Sequence, residues 1–128
     1  MSENKTNTVE TELLRLTADM LNKKGGLFAP VTFGRLGAEG ITVQLAGGGD
    51  ETRYLDGGRL RAIPLLFLAK CREQKKAMDT LYRLLDILEQ EAPEGVLWVR
   101  TTSLPELVDR GEDGVIYEAQ AKLVVYKA

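Results

Sequence analysis

Cys71 lies between Lys70 and Arg72, two cations able to lower a thiol pKa and make it nucleophilic. It is the only cysteine, and the sequence has no histidine to serve as its base. Ser-His-Asp and Cys-His catalysis are therefore excluded, together with histidine metal sites and internal disulfides. A free cysteine ending an apolar run is more simply a small buried residue. Two carboxylate pairs, Glu112/Asp113 and Asp86/Glu89, could exchange protons in a cleft. A solvated loop and a polar helix face explain them better. Gly47-Gly48-Gly49-Asp50 is glycine-rich, yet no Gly-Lys-Ser/Thr follows and it does not open a helix. It is expected to be a hairpin tip, not a phosphate loop. Arg53, Arg59 and Arg61, with Tyr54 between, could track nucleic acid along a strand. A net charge of −2, from 17 basic and 19 acidic residues, favours solvated arginines or a subunit contact instead. Trp98, the only tryptophan, suits a core or an interface anchor. No catalytic or cofactor-binding constellation emerges, and the chain is expected not to be an enzyme.

The elements that carry these residues follow from periodicity. The 128 residues, 44% hydrophobic and 28% charged, suffice for one soluble domain with a real core. Residues 1–8 are polar and are expected to be disordered; their lack of an apolar signal core and the single cysteine make the cytoplasm the expected default setting. No apolar run reaches the length of a membrane span. Val9, Leu13, Leu16 and Met20 share a helical face widened by Leu14 and Leu21, so a helix is expected over 8–24, closed by Gly25-Gly26. A short strand near 31–33 can precede an alternating strand at 41–45. Residues 51–55 are expected to return as its hairpin partner, and Asp56-Gly57-Gly58 is a further turn.

Residues 59–71 begin as alternating charged and apolar positions and end apolar on both faces, with Pro64 in the middle. Proline suits an edge or a bulge, not a central ladder. The strand is therefore expected to lie partly at a sheet edge or to bend at Pro64. Ala77, Leu81, Leu84 and Leu88 define a helix over 74–90. A strand over 96–102 leads into an expected acidic loop at 103–114. A last strand over 115–127 would be about 40 Å long, so it is expected to bend or to project. Together these predict one α+β domain over 9–128: a mixed sheet flanked by two main helices, in the order α-β-β-β-α-β-β.

Tyr54-Leu55-Asp56-Gly57-Gly58, then Ile63-Pro64-Leu65, then Gln74-Lys75-Lys76-Ala77-Met78-Asp79-Thr80-Leu81 resemble a family of small tailed-phage minor capsid proteins. That family's pattern is an aromatic-x-Asp-Gly turn, a strand with a proline-centred apolar run, and a helix with a Gln-x-x-Ala-Met-x-x-Leu-like start. A strand, an acidic Gly-ending turn and a Tyr-containing alternating strand continue it, and the resemblance covers about residues 40–128. The family is similar to the tail terminators of long-tailed phages. The resemblance implies a homomeric, hexameric ring that caps the tail tube, with the tail-tube protein and the head–tail connector protein as partners. It implies assembly in the host bacterial cytoplasm, a final place at the tail–head junction of the virion, and no cofactor, membrane or sequence-specific nucleic acid. Another head–tail completion protein, or a small ligand-binding regulatory domain, are the alternatives.

Contact residues are expected by position. Gly48, Gly49 and Asp50 at one tip, and Asp109, Arg110, Glu112 and Asp113 at the other, would face the tube, its lumen or the connector. Arg59, Arg61 and Arg100 would meet acids of a neighbouring subunit. Pro64 would mark where the sheet gives way to subunit contact. Ordinary solvated charge explains each of them equally well.

Overall fold

Leucines four and three apart drive the strongest element. In a computed structural model describing residues 9–47, 49–53 and 55–127, helix α2 spans Gln74–Gln90 and buries Ala77, Leu81, Leu84, Leu85 and Leu88 along one stripe. The Glu91 N–H donates to the Ile87 carbonyl at 2.9 Å, and Pro93 prevents continuation. Helix α1 spans Val9–Lys24, with acids in its first turn and lysines in its last, as the helix dipole favours. Gly25 (φ +72°) closes it by donating its N–H to the Leu21 carbonyl. Its buried face is Leu13, Thr17, Ala18 and Leu21. The expected face was centred differently: Val9 is 42% exposed, and the short Thr17 and Ala18 side chains let the helix backbone approach the sheet. The expected disorder of 1–8 lies outside the described residues, as do Gly48 and Tyr54.

Six strands form one mixed sheet in the order β1-β2-β4-β6-β5, with β3 beside β4. They are β1 (Val31–Thr32), β2 (Gly40–Leu45), β3 (Asp50–Arg53), β4 (Arg59–Cys71), β5 (Trp98–Gly111) and β6 (Gly114–Lys127). β1 runs parallel to β2, and the other pairs are antiparallel. The α+β class and element order hold, with the short strand expected near 31–33 present as β1. Ile63, Leu65, Phe67, Ala69 and Cys71 of β4 alternate inward, as do Val115, Tyr117, Ala119, Ala121 and Leu123 of β6. Both helices pack on this face, α1 over β1 and β2, α2 over β4, β5 and β6. Among the described residues no helix packs on the opposite face.

Pro64 is not at an edge. β4 is central, paired with β6 along its whole length and with β2 and β3 in tandem on the other side. Leu45 pairs with Leu65 and Asp50 with Ala62, so Ala46, Gly47 and Gly49 lie in a bulge opposite Ile63 and Pro64. The Ala46 N–H donates to the Pro64 carbonyl at 2.9 Å. In an antiparallel strand a residue's N and C=O point to the same side, so the proline nitrogen faces the bulge, where no ladder bond is required of it. This also corrects the hairpin expected around residues 47–51. β3 does not pair with β2; the two follow one another along β4. A Cβ on Gly49 would lie 2.9 Å from the Ala62 carbonyl oxygen and 3.3 Å from Pro64 Cδ, so the glycine permits the bulge to close on the proline.

The acidic segment after residue 102 is not a loop. β5 continues to Gly111, with register shifts at Thr101/Ser103, Ser103/Glu106 and Leu107/Asp109. The shifts erase simple alternation, and Pro105 sits at one of them on an edge strand, where its missing donor costs little. Only Glu112 and Asp113 form the turn to β6. The length of β6 is matched by β4, residue for residue from Cys71↔Val115 to Arg59↔Lys127.

The β1 edge is closed by a side chain. Asn22 of α1 donates through Nδ2 to the Val31 carbonyl at 3.0 Å and accepts the Val31 N–H at 2.7 Å through Oδ1. Asn22→Ala would strand both groups beside the core. It is expected to cost about 2 kcal/mol in urea unfolding.

Candidate assembly interface

The expected contact residues fall in three places. Gly49, Pro64, Arg59 and Arg61 gather around the β2–β3 bulge, where Glu10, Leu45, Glu51, Arg61 and Pro64 line an open cleft of about 250 Å³. Asp50 pairs with Ala62 there through the backbone. Gly48 lies outside the described residues. The two arginines are engaged within the chain. Arg61 Nη1 donates to Glu10 Oε2 at 2.6 Å, pinning the first turn of α1 to β4. Arg59 Nε lies 2.8 Å from Glu51 Oε2, at an angle poor for a hydrogen bond, so the contact is an ion pair.

The second place is the far end of the β5–β6 hairpin. Arg110 Nη2 donates to Gln74 Oε1 at 3.4 Å at the start of α2. Lys70 Nζ donates to Asp113 Oδ2 at 3.1 Å, and this hydrogen bond holds the Asp113 carboxyl below the usual carboxylate range. Glu39 is lowered too, chiefly because it accepts the Arg72 backbone N–H, with the Cys71 thiol as a second donor. Cys71 itself is fully buried, which is the small-residue role. Glu112 is exposed in the turn and Asp109 lies on the strand. Arg100 stands alone in the third place, on the uncovered sheet face opposite Lys122.

Sequence reasoning missed the apolar surface. Leu104 (61% exposed), Leu107 and Val108 lie on β5, an edge strand that has no strand partner on its outer side among the described residues. Phe33 is 51% exposed beside β1, at the opposite edge. Leu97, Trp98 and Tyr126 are also exposed, where β5 enters the sheet and β6 leaves it. Trp98 is thus a surface residue, not a core residue. Leu104 and Val108 were hidden because acids and Pro105 surround them and made the segment read as loop.

Another recess, about 590 Å³, opens between the loop after α1 and helix α2 and includes Phe28, Lys75, Lys76 and Arg83. Its lysines pair along their own helix, Lys75 with Asp79 and Lys76 with Glu73. Among the described residues no three Asp, Glu or Cys side chains are placed to share a metal ion, and no helix is long and apolar enough to cross a membrane. No family model matches the chain, and no curated protein matches its sequence.

Proposed function

We propose that this chain is a tail terminator of a long-tailed phage, a structural protein that forms a homomeric, hexameric ring on the end of the tail tube and offers the head connector a surface. The observation that carries the proposal is the exposure of large apolar side chains at both edges of one sheet, Leu104, Leu107 and Val108 at β5 and Phe33 at β1. A ring needs a heterologous contact, one patch on each flank, whose rotation closes. Both edges are also guarded against open-ended strand addition: β1 by Asn22, β5 by Pro105 and three register shifts. Side-chain contact, not sheet extension, is the mode this favours. Its partners in this role are copies of itself, the tail-tube protein and the head–tail connector protein. Its place is the host cytoplasm during assembly and then the tail–head junction.

The test is tube growth. Added to polymerising tail-tube protein, the chain should shift tube lengths, measured by electron microscopy, to a short and narrow distribution. Tubes that grow equally long with and without it would refute the terminator role.

A further inference from the structure

The sheet face opposite the helices carries an ordered charge pattern. On that face Trp98 stands opposite Val124, Arg100 opposite Lys122, Ser103 opposite Gln120, Glu106 opposite Glu118 and Asp109 opposite Ile116. Two of these rows set like charges directly across the ladder, one basic and one acidic. Such pairs destabilise an isolated sheet. Arg100 and Glu106 are exposed, and among the described residues neither has an ion-pair partner. Lys70, one row beyond Glu118, is already held by Asp113. Between the charged rows lie Gln120 and, on β4, Leu66, which pairs with Gln120, while Leu68 continues the acidic row beside Glu118.

We propose that this face docks on a second copy of the chain about a two-fold axis passing near Gln120. The basic and acidic rows are four β6 positions apart, roughly 13 Å, with Gln120 midway. A two-fold axis there places Arg100 and Lys122 of one copy over Glu106 and Glu118 of the other, twice, and brings the Trp98 and Val124 row toward the Asp109 and Ile116 row. The pattern is its own complement, which points to a second copy and not to an unrelated partner. Two sheets packed face to face lie about 10 Å apart, within reach of these side chains. The face spans about ten residues and four strands, roughly 600 Å² per copy, the lower end for a specific interface. Micromolar affinity that weakens with salt is expected. An isologous contact closes at two copies and cannot propagate a ring, so this contact differs from the ring contact although Glu106 shares strand β5 with Leu104 and Val108, and it is read by self-association, not by tube length.

The test is sedimentation of the purified chain across concentration, with Trp98 fluorescence as a second readout because that indole sits on the face. Arg100→Glu and Glu106→Arg, each alone, are expected to weaken self-association at least ~10-fold by juxtaposing like charges. Mixed in equal amounts, the two variants should recover a heterodimer, because each charge then meets its opposite, and the Trp98 emission should shift blue as it does in the unaltered dimer. Circular dichroism of both variants should be unchanged, since the replaced side chains are exposed. An unaltered chain that stays monomeric to the millimolar range, variants that dimerise undiminished, or a mixture that stays monomeric would each overturn the proposal. Any of these outcomes leaves the tube-length result untouched.

Discussion

Gly114→Ala is expected to lower stability by about 3 kcal/mol, read in urea unfolding as an earlier midpoint with an unchanged slope. Two costs add. Gly114 sits at φ +137° where the β5–β6 hairpin turns, a conformation that residues with a Cβ rarely adopt. A Cβ there would also lie 2.7 Å from the Cys71 carbonyl oxygen and 3.1 Å from the carbonyl carbon. Neither can move cheaply, because Cys71 is fully buried and paired with Val115. Gly95 separates the two costs. Its φ is +87°, but a Cβ there meets open space. Gly95→Ala should therefore show the conformational cost alone, about 1 kcal/mol. The difference of about 2 kcal/mol is the overlap with the Cys71 backbone. Equal losses at both sites would mean that the hairpin does not pack on the end of β4.

The largest functional effect is expected from Leu104→Asp combined with Val108→Asp. Both side chains are more than half exposed on β5, so the folded subunit loses little. Stability should stay within about 0.5 kcal/mol of the unaltered chain for each change. In the assembled ring the same carboxylates would be buried against a neighbour without partners, at several kcal/mol per contact. A ring repeats its contact at every junction, so the penalty multiplies. Capping should be abolished, and tube lengths should return to those seen without the protein. A soluble, folded double variant that still caps tubes would move the contact away from β5.

Most of the fold was legible because burial follows period. The leucines of α2 and the alternation of β6 each specify one face, and the structure uses those faces. What escaped has a common cause: the chain departs from simple periodicity where strands interrupt one another. Pro64 was legible as a constraint, but its solution lies in another segment, the bulge between the Leu45 and Asp50 pairs that leaves its nitrogen no ladder bond to make. The glycines of that bulge look like a hairpin tip, because the sequence does not say whether β3 folds back on β2 or continues along β4. The second half of β5 was hidden by three register shifts and by Pro105, devices that make a strand read as loop.

The candidate contact residues fared according to their partners. Arg59 and Arg61 looked like free strand-face charges, and their acids, Glu51 and Glu10, lie on separate elements, Glu10 at the far start of the chain. Arg100 has no such acid among the described residues and remains on the surface. The cross-strand rows that give it meaning depend on register, which no single strand encodes. Leu104 and Val108 needed only the edge position of β5 to become significant, and that position is set by topology.

Cryo-electron microscopy of the chain bound to tail tubes tests the central claim most directly. The account predicts a closed ring of identical subunits on the tube end, each setting Leu104, Leu107 and Val108 of β5 against the Phe33 side of its neighbour. Bare tube ends beside free monomers, or a ring whose subunits meet through their helices, would contradict it.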